Sequence, residues 1–171
     1  YFDHGKPAPF AIAMGGPPAI TMAATMKMPA RISEVDVAGG LNLDPINLIK
    51  AETGDFFVPA DAEVVIEGEF VNGKLAEEGP YGAFMGYTRR REGPMAIVKA
   101  ITRREKPIIP VMVDGTYPCD TEWLISIVES TRLFGMLTRR YQHPIRWISI
   151  IPDFALSVCL IAIRPFYFGH L

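Results

Sequence analysis

Only one stretch of this chain, residues 121–138, carries the three-and-four-residue apolar spacing of a long helix. Trp123, Leu124, Ile127, Val128, Thr131, Phe134 and Leu137 make the stripe, which is expected to face a core. Asp120 or Thr121 is placed to cap its start, and Arg139 and Arg140 suit its end. Nearly everything else is strand-length apolar segments broken by Gly and Pro. A doubly wound fold needs a helix after almost every strand, so the pattern argues against one. It predicts a mostly β chain with helices, α+β, whose antiparallel strands form a closed or split β-barrel.

The expected strands begin with residues 9–14, which break at Gly15-Gly16-Pro17-Pro18. Residues 18–26 are small and apolar and suit a short helix, and Ser33 is placed to cap another that ends at Gly39-Gly40. Val64, Ile66, Gly68 and Phe70 alternate with Glu63, Glu67 and Glu69, the period of a half-solvated strand. Asn72-Gly73 predicts a hairpin turn. Met95–Thr102, Ile108–Val113, 145–151 and 155–163 complete the strands.

Composition narrows the function. The 171 residues are 49% hydrophobic and 21% charged, enough for a packed domain and unlike a disordered chain. A net charge of −2 gives no electrostatic case for nucleic acid. The Arg89-Arg90-Arg91 cluster fits a solvated turn or a subunit contact. Cys119 and Cys159 match no metal or redox spacing and are expected as reduced thiols. The longest apolar run, Phe154–Ile163, is too short to span a bilayer and predicts a buried strand. No secretory pattern is visible, so a cytoplasmic protein without membrane association is expected. The chain opens on Tyr1 rather than Met, which suggests a fragment or a processed subunit. His143 precedes Pro144 and suits a turn, and neither it nor His170 has an evident partner.

The densest chemical segment is Glu78-Gly-Pro-Tyr-Gly-Ala-Phe-Met-Gly-Tyr87. Pro80 fixes its own φ and pushes Gly79 away from helix, while Gly82 and Gly86 permit tight backbone or a close flat ligand. One carboxylate is thereby held beside aromatic walls. An ordinary Gly-Pro turn between strands would need no more than this. Glu77 is not a candidate, because neighbouring strand residues point to opposite faces.

This segment resembles the E-G-P-[FY]-G-E-x-x-G-Y signature of the UbiD family of prenylated-flavin-dependent decarboxylases. The resemblance continues in family order. It includes Pro9-Phe-Ala-Ile-Ala-Met-Gly-Gly-Pro-Pro18, Met22-Ala-Ala-Thr-Met-Lys-Met-Pro29, Ser33-Glu-Val-Asp36, Phe57-Val-Pro-Ala-Asp-Ala-Glu-Val-Val-Ile-Glu-Gly68 and Tyr167-Phe-Gly-His170. It implies a flavin-reductase-like split barrel over residues 46–171, preceded by a flavin- and metal-side segment at 1–45. It implies reversible decarboxylation of an aromatic, heteroaromatic or α,β-unsaturated acid by prenylated FMN, with a divalent metal, typically Mn, and K at the phosphate. Glu78 matches the first catalytic Glu, and Glu34 a metal-ligating Glu. Ala23, Ala24, Thr25 and Met26 match the flavin-side loop, and Phe84, Thr121 and Ile125 the substrate pocket. Family members are usually dimers or hexamers, so a homo-oligomer or a complex with further UbiD-type segments is expected.

Two departures stand out. Position 83, where the family carries its proton-transferring Glu, is Ala83. The family's catalytic Arg, its metal-binding Asn and His, and a flavin-contacting Lys have no counterpart that can be placed in this sequence. A non-catalytic flavin-binding or assembly subunit is therefore the alternative reading. A flavin-reductase-like oxidoreductase rests on fold analogy alone.

Overall fold

A computed structural model describes residues 1–83, 86–116, 118–140 and 144–165 of the chain. These divide into two compact units built from interleaved segments. The first comprises Tyr1–Ala24, Met28–Pro80 and Arg89–Val111, and the second Thr25–Lys27, Tyr81–Thr88 and the described part of Met112–Leu171.

The first unit is organised by an antiparallel sheet of β1 (Ala8–Met14), β4 (Val64–Glu78) and β7 (Arg91–Arg103), with β4 in the centre. The alternation read from 64 to 70 does form β4, and one of its faces packs Val65 against Ala51, Val58 and Ala62. Each such fully buried Val contributes about 1.5–3 kcal/mol of transfer free energy. Gly68 sits at a register shift where a Cβ would lie 2.1 Å from the Ile97 carbonyl oxygen, so the strands close only with glycine there. β2 (Leu48–Lys50) and β3 (Phe57–Pro59) pair as a small antiparallel ladder. α1 (Pro18–Ala24) and α2 (Glu34–Asn42) pack through Ala19, Ala23 and Ala38, small residues that let two short helices approach closely.

Three expectations in this unit need correction. Asn72-Gly73 does not reverse the chain. Gly73 takes a positive φ of 68° inside β4, and the ladder to β7 jumps from Phe70–Ala96 to Leu75–Pro94. The turn residues serve a bulge instead, because Ala76–Glu78 find partners further along the same strand. Ser33 does cap α2, accepting the Val35 N–H at 3.2 Å, but the helix runs through Gly39-Gly40 to Asn42 and ends on Leu43 in the left-handed region. Residues 108–113 form no ladder among the described residues. Their chain is interrupted by Pro110, and the Ile108 N–H donates to the Glu63 carboxylate at 3.1 Å.

In the second unit, β5 (Tyr81–Ala83) and β6 (Gly86–Thr88) form a short hairpin, and β8 (Ile145–Ile151) pairs antiparallel with β9 (Val158–Ile163). The long helix, α3 (Asp120–Gly135), lies on β8 and continues into one π-type turn, Met136–Arg140. Its N-cap is Cys119, not Asp120 or Thr121. Asp120 instead accepts the Val113 N–H at 2.9 Å. The predicted stripe packs only in part: its Val128 is buried and its Leu124 and Leu137 are half-buried. Trp123, Ile127, Thr131 and Phe134 are exposed, whereas Glu122, Ser126 and Val128 are buried. Polar contacts set that phase. Ser126 Oγ donates to the Ile150 carbonyl, and the Ile150 N–H donates to Ser130 Oγ at 2.9 Å. β9 is shorter than the apolar run that predicted it, and its Cys159, Leu160 and Ile161 are exposed.

The fold is thus α+β with antiparallel sheets, and no closed barrel forms among the described residues. None of their helices is long and apolar enough to cross a membrane. Cys119 and Cys159 are both free thiols.

Candidate active site

The signature segment straddles the two units. Glu78 closes β4 in the first, followed by Gly79 and Pro80 with a cis peptide bond between them, and Tyr81–Thr88 hold the β5–β6 hairpin of the second. Glu78 is the last residue of β4, opposite Arg91 in the ladder to β7. Cross-strand pairing brings the two side chains together. Arg91 Nε donates to Glu78 Oε2 at 3.0 Å and Nη2 to Oε1 at 3.4 Å, a two-pronged contact matched to the shape of a carboxylate. The Glu78 side chain is 41% exposed. It lines a groove of about 400 Å³ with Phe70, Ala76, Glu77, Gly93, Pro94, Met95 and Ala96. The carboxylate therefore stands at the edge of a recess whose other walls include Phe70, Pro94 and Met95. Its neighbour Glu77 is turned to another cation, Arg90, at 3.0 Å.

Ala83 pairs with Gly86 at the end of the hairpin and is half-buried. Gly82 rests against the loop before α3, since a Cβ there would lie 3.6 Å from Gly115 Cα and 3.7 Å from the Asp114 carbonyl. Phe84, Met85, His143 and the Tyr167–His170 segment lie outside the described residues. Thr121 and Ile125 are half-buried on one side of α3, four residues apart.

On the flavin side, Ala23 and Ala24 end α1 in the first unit, while Thr25 and Met26 belong to the second. The Ala23 side chain is spent on packing against α2, so only its backbone could meet a ligand. Ala24 is exposed and Thr25 and Met26 are half-buried. Glu34 opens α2 as an exposed carboxylate in the first turn, where the helix dipole favours negative charge. Among the described residues no group of three or more His, Cys, Asp or Glu side chains could hold a metal ion.

Two buried carboxylates escaped the sequence reading. Glu67, predicted on a solvated face, is 1% exposed and accepts the Glu52 N–H at 3.1 Å, the Thr53 N–H at 2.7 Å and the Thr53 hydroxyl at 2.8 Å. Burial by itself would push its carboxyl up, but these three bonds outweigh it and hold the group below the ordinary carboxylate range. Glu122 is wholly buried; Oε2 accepts the Cys119 N–H at 3.1 Å, and Oε1 has no partner among the described residues. The spacing of a helix start followed by Glu at the third position was its available signal. Cys119 Sγ lies 3.4 Å from Asp114 Oδ1. Burial first, then the Asp114 and Glu122 carboxylates, push the thiol up and make it a poor nucleophile. Arg91 and Gly93 were also missed, because their place beside Glu78 depends on the strand register.

An arginine on β7 thus holds a carboxylate of β4 at the edge of a groove, immediately before the Gly-Pro of the signature segment. The chain belongs to the UbiD family: the UbiD 3-octaprenyl-4-hydroxybenzoate carboxy-lyase Rift-related domain matches residues 1–117. It is 37% identical over 134 residues to a pyrrole-2-carboxylic acid decarboxylase of Pseudomonas aeruginosa, covering 77% of this chain and 27% of that protein. It is 33% identical over 144 residues to a phenolic acid decarboxylase of Bacillus subtilis, covering 84% and 30%. Its fold superposes with a TM-score of 0.88 on an evolved dimeric form of the UbiD-class enzyme HmfF from Pelotomaculum thermopropionicum in complex with prFMN. That match is 26% identical and covers 98% of this chain and 39% of that one. The chain spans less than a third of the length of these two curated relatives.

Proposed function

We propose that this chain is the central portion of a UbiD-type carboxy-lyase that reversibly decarboxylates an aromatic, heteroaromatic or α,β-unsaturated carboxylic acid with prenylated FMN. The observation that carries the reading is Glu78. The family's first signature carboxylate lies in a groove lined by Phe70, Pro94 and Met95, fixed by a two-pronged arginine contact.

When the acid loses CO2, the C–C bond to the carboxyl breaks and its electron pair stays on an sp2 carbon, which must then take up a proton. Prenylated FMN, when bound, supplies the electron sink that no ordinary side chain offers. Ala24, exposed at the end of α1, and half-buried Thr25 and Met26 are the residues that would meet the flavin, largely through their backbone. The residues present do not by themselves fit a divalent metal. Glu34 is a single carboxylate, so it contributes one ligand to a Mn and phosphate site, and further UbiD-type segments supply the others. K belongs to the same phosphate site. Thr121 and Ile125 border the substrate in this reading, Phe84 matches the family's pocket position by sequence, and Glu78 is the candidate for proton exchange beside the reacting end.

One observation favours a second reading. Ala83 cannot move a proton, and a chain that had become a flavin-binding or assembly subunit could carry alanine there at no cost. The complete flavin-loaded protein decides between them. Glu78→Gln keeps the shape of the side chain and removes its charge, so turnover of aromatic acids should fall by about 10²-fold or more with flavin still bound. Unchanged turnover, or no turnover in the unsubstituted protein with flavin in place, supports the subunit reading instead.

A further inference from the structure

The groove explains an otherwise unexplained glycine. Gly93 is buried in β7, on the ladder rung of Ala76, two residues from Arg91. It is not among the glycines with positive φ, so its backbone does not demand glycine. Its surroundings do. A Cβ at position 93 would lie 2.9 Å from Glu78 Oε2, 3.8 Å from Cδ and 3.9 Å from Cβ. The carboxylate of Glu78 lies across bare backbone, and any side chain at 93 would push it away.

Arg91 acts from two residues earlier on the same strand, with Nε at 3.0 Å and Nη2 at 3.4 Å from the two carboxylate oxygens. The contact is exposed, so its use is orientation more than stability. We propose that Arg91 and Gly93 together form a seat that fixes the Glu78 carboxylate over the groove, and that both are positioning residues for the decarboxylation. The proposal rests on the catalytic reading of Glu78. A guanidinium suits this task better than an ammonium, because its planar fork meets both oxygens at once. The neighbouring Arg90 is engaged by Glu77, so the two adjacent arginines each face one carboxylate.

The test uses the complete flavin-loaded enzyme and two readouts. Gly93→Ala and Arg91→Ala should each lower kcat by about 10-fold or more while KM stays within about 3-fold, the pattern of a misplaced catalytic group. Arg91→Lys should recover part of the loss. Glu78→Gln combined with Gly93→Ala should be no slower than Glu78→Gln alone, since residues acting as one unit are not additive. The second readout needs no turnover: the Arg91 Nε–H resonance should shift in both Glu78→Gln and Gly93→Ala. The clash at 93 is with the end of a flexible side chain, so Gly93→Ala should fold, and a melting curve checks that. A Gly93→Ala enzyme with unchanged resonance and unchanged kcat overturns the seat. Loss of turnover in Glu78→Gln but in neither Gly93→Ala nor Arg91→Ala overturns the positioning role alone. Full turnover in Glu78→Gln, with the resonance shifted, overturns instead the catalytic reading on which the proposal stands.

Discussion

Glu67 shows what a single buried charge does in this fold. Its carboxylate ties the loop at residues 52–53 to the central strand through three hydrogen bonds, and its pKa is depressed because those bonds outweigh burial. A depressed carboxylate stabilises the folded state above its unfolded pKa of about 4.3, and that contribution is lost as pH falls through the folded value. Glu67→Gln presents an amide where donors already point, so at pH 7 it should cost about 1–3 kcal/mol. The gap to the unsubstituted protein should then narrow at acid pH, because only the carboxylate form loses stability there. Urea melts at pH 7 and at about pH 3.5 measure both effects; equal gaps at the two values would mean that Glu67 is not ionised in the fold. Alternation along β4 was legible, but it placed Glu67 with Glu63 and Glu69 on a solvated face. No local pattern reports that the upstream segment folds over that face, burying Val65 as well as Glu67.

At the scale of elements, the sequence revealed periods better than phases. The apolar spacing located α3 within two residues at its start, yet the stripe it marked is exposed at Trp123, Ile127 and Phe134. The face that packs carries Ser126 and Ser130, which satisfy the backbone carbonyl and N–H of Ile150, and between them Val128 at 2% exposure. Hydropathy alone cannot prefer serines over isoleucine, whereas a helix laid on a strand with free backbone groups can. Neighbouring truncations separate the two faces. Val128→Ala should destabilise by about 1–3 kcal/mol through lost burial and an unfilled space. Ile127→Ala, one position away and exposed, should stay within about 0.5 kcal/mol. The same reasoning applies at Asn72-Gly73, where the turn chemistry was read correctly but served a bulge, because the strand's continuation still had partners on β7. Thermal melts of the two helix variants check the assignment, and a reversed order would put Ile127 rather than Val128 on the packed face.

At the scale of the whole molecule, the site was legible wherever it is contiguous in sequence and hidden wherever it is assembled by pairing. Glu78-Gly-Pro-Tyr-Gly declares itself in one run, whereas Arg91, 13 residues on, and Gly93 reach Glu78 only through the register of β4 with β7. The chain spans less than a third of the length of the two curated relatives, so the site is tested only in the complete protein. That makes Ala83 the most informative residue for the complete enzyme. Proton transfer by a positioned side chain contributes about 10²–10⁴-fold to rate, so a site without the family's second Glu should exchange the proton at the reacting carbon slowly. Ala83 is half-buried at the end of the β5–β6 hairpin, with Gly86 opposite it in the ladder. Glycine there leaves lateral room for a longer side chain at 83. Ala83→Glu should therefore raise hydrogen–deuterium exchange into a bound product analogue, by about 10-fold or more, without changing flavin content. Mass spectrometry of the analogue and the flavin absorbance measure the two quantities on one sample. Fast exchange in the unsubstituted protein would show that another group already moves the proton. No gain in Ala83→Glu, with flavin bound and Glu78 intact, would mean that the pocket no longer presents the reacting carbon to position 83, and the binding-subunit reading would then replace the carboxy-lyase one.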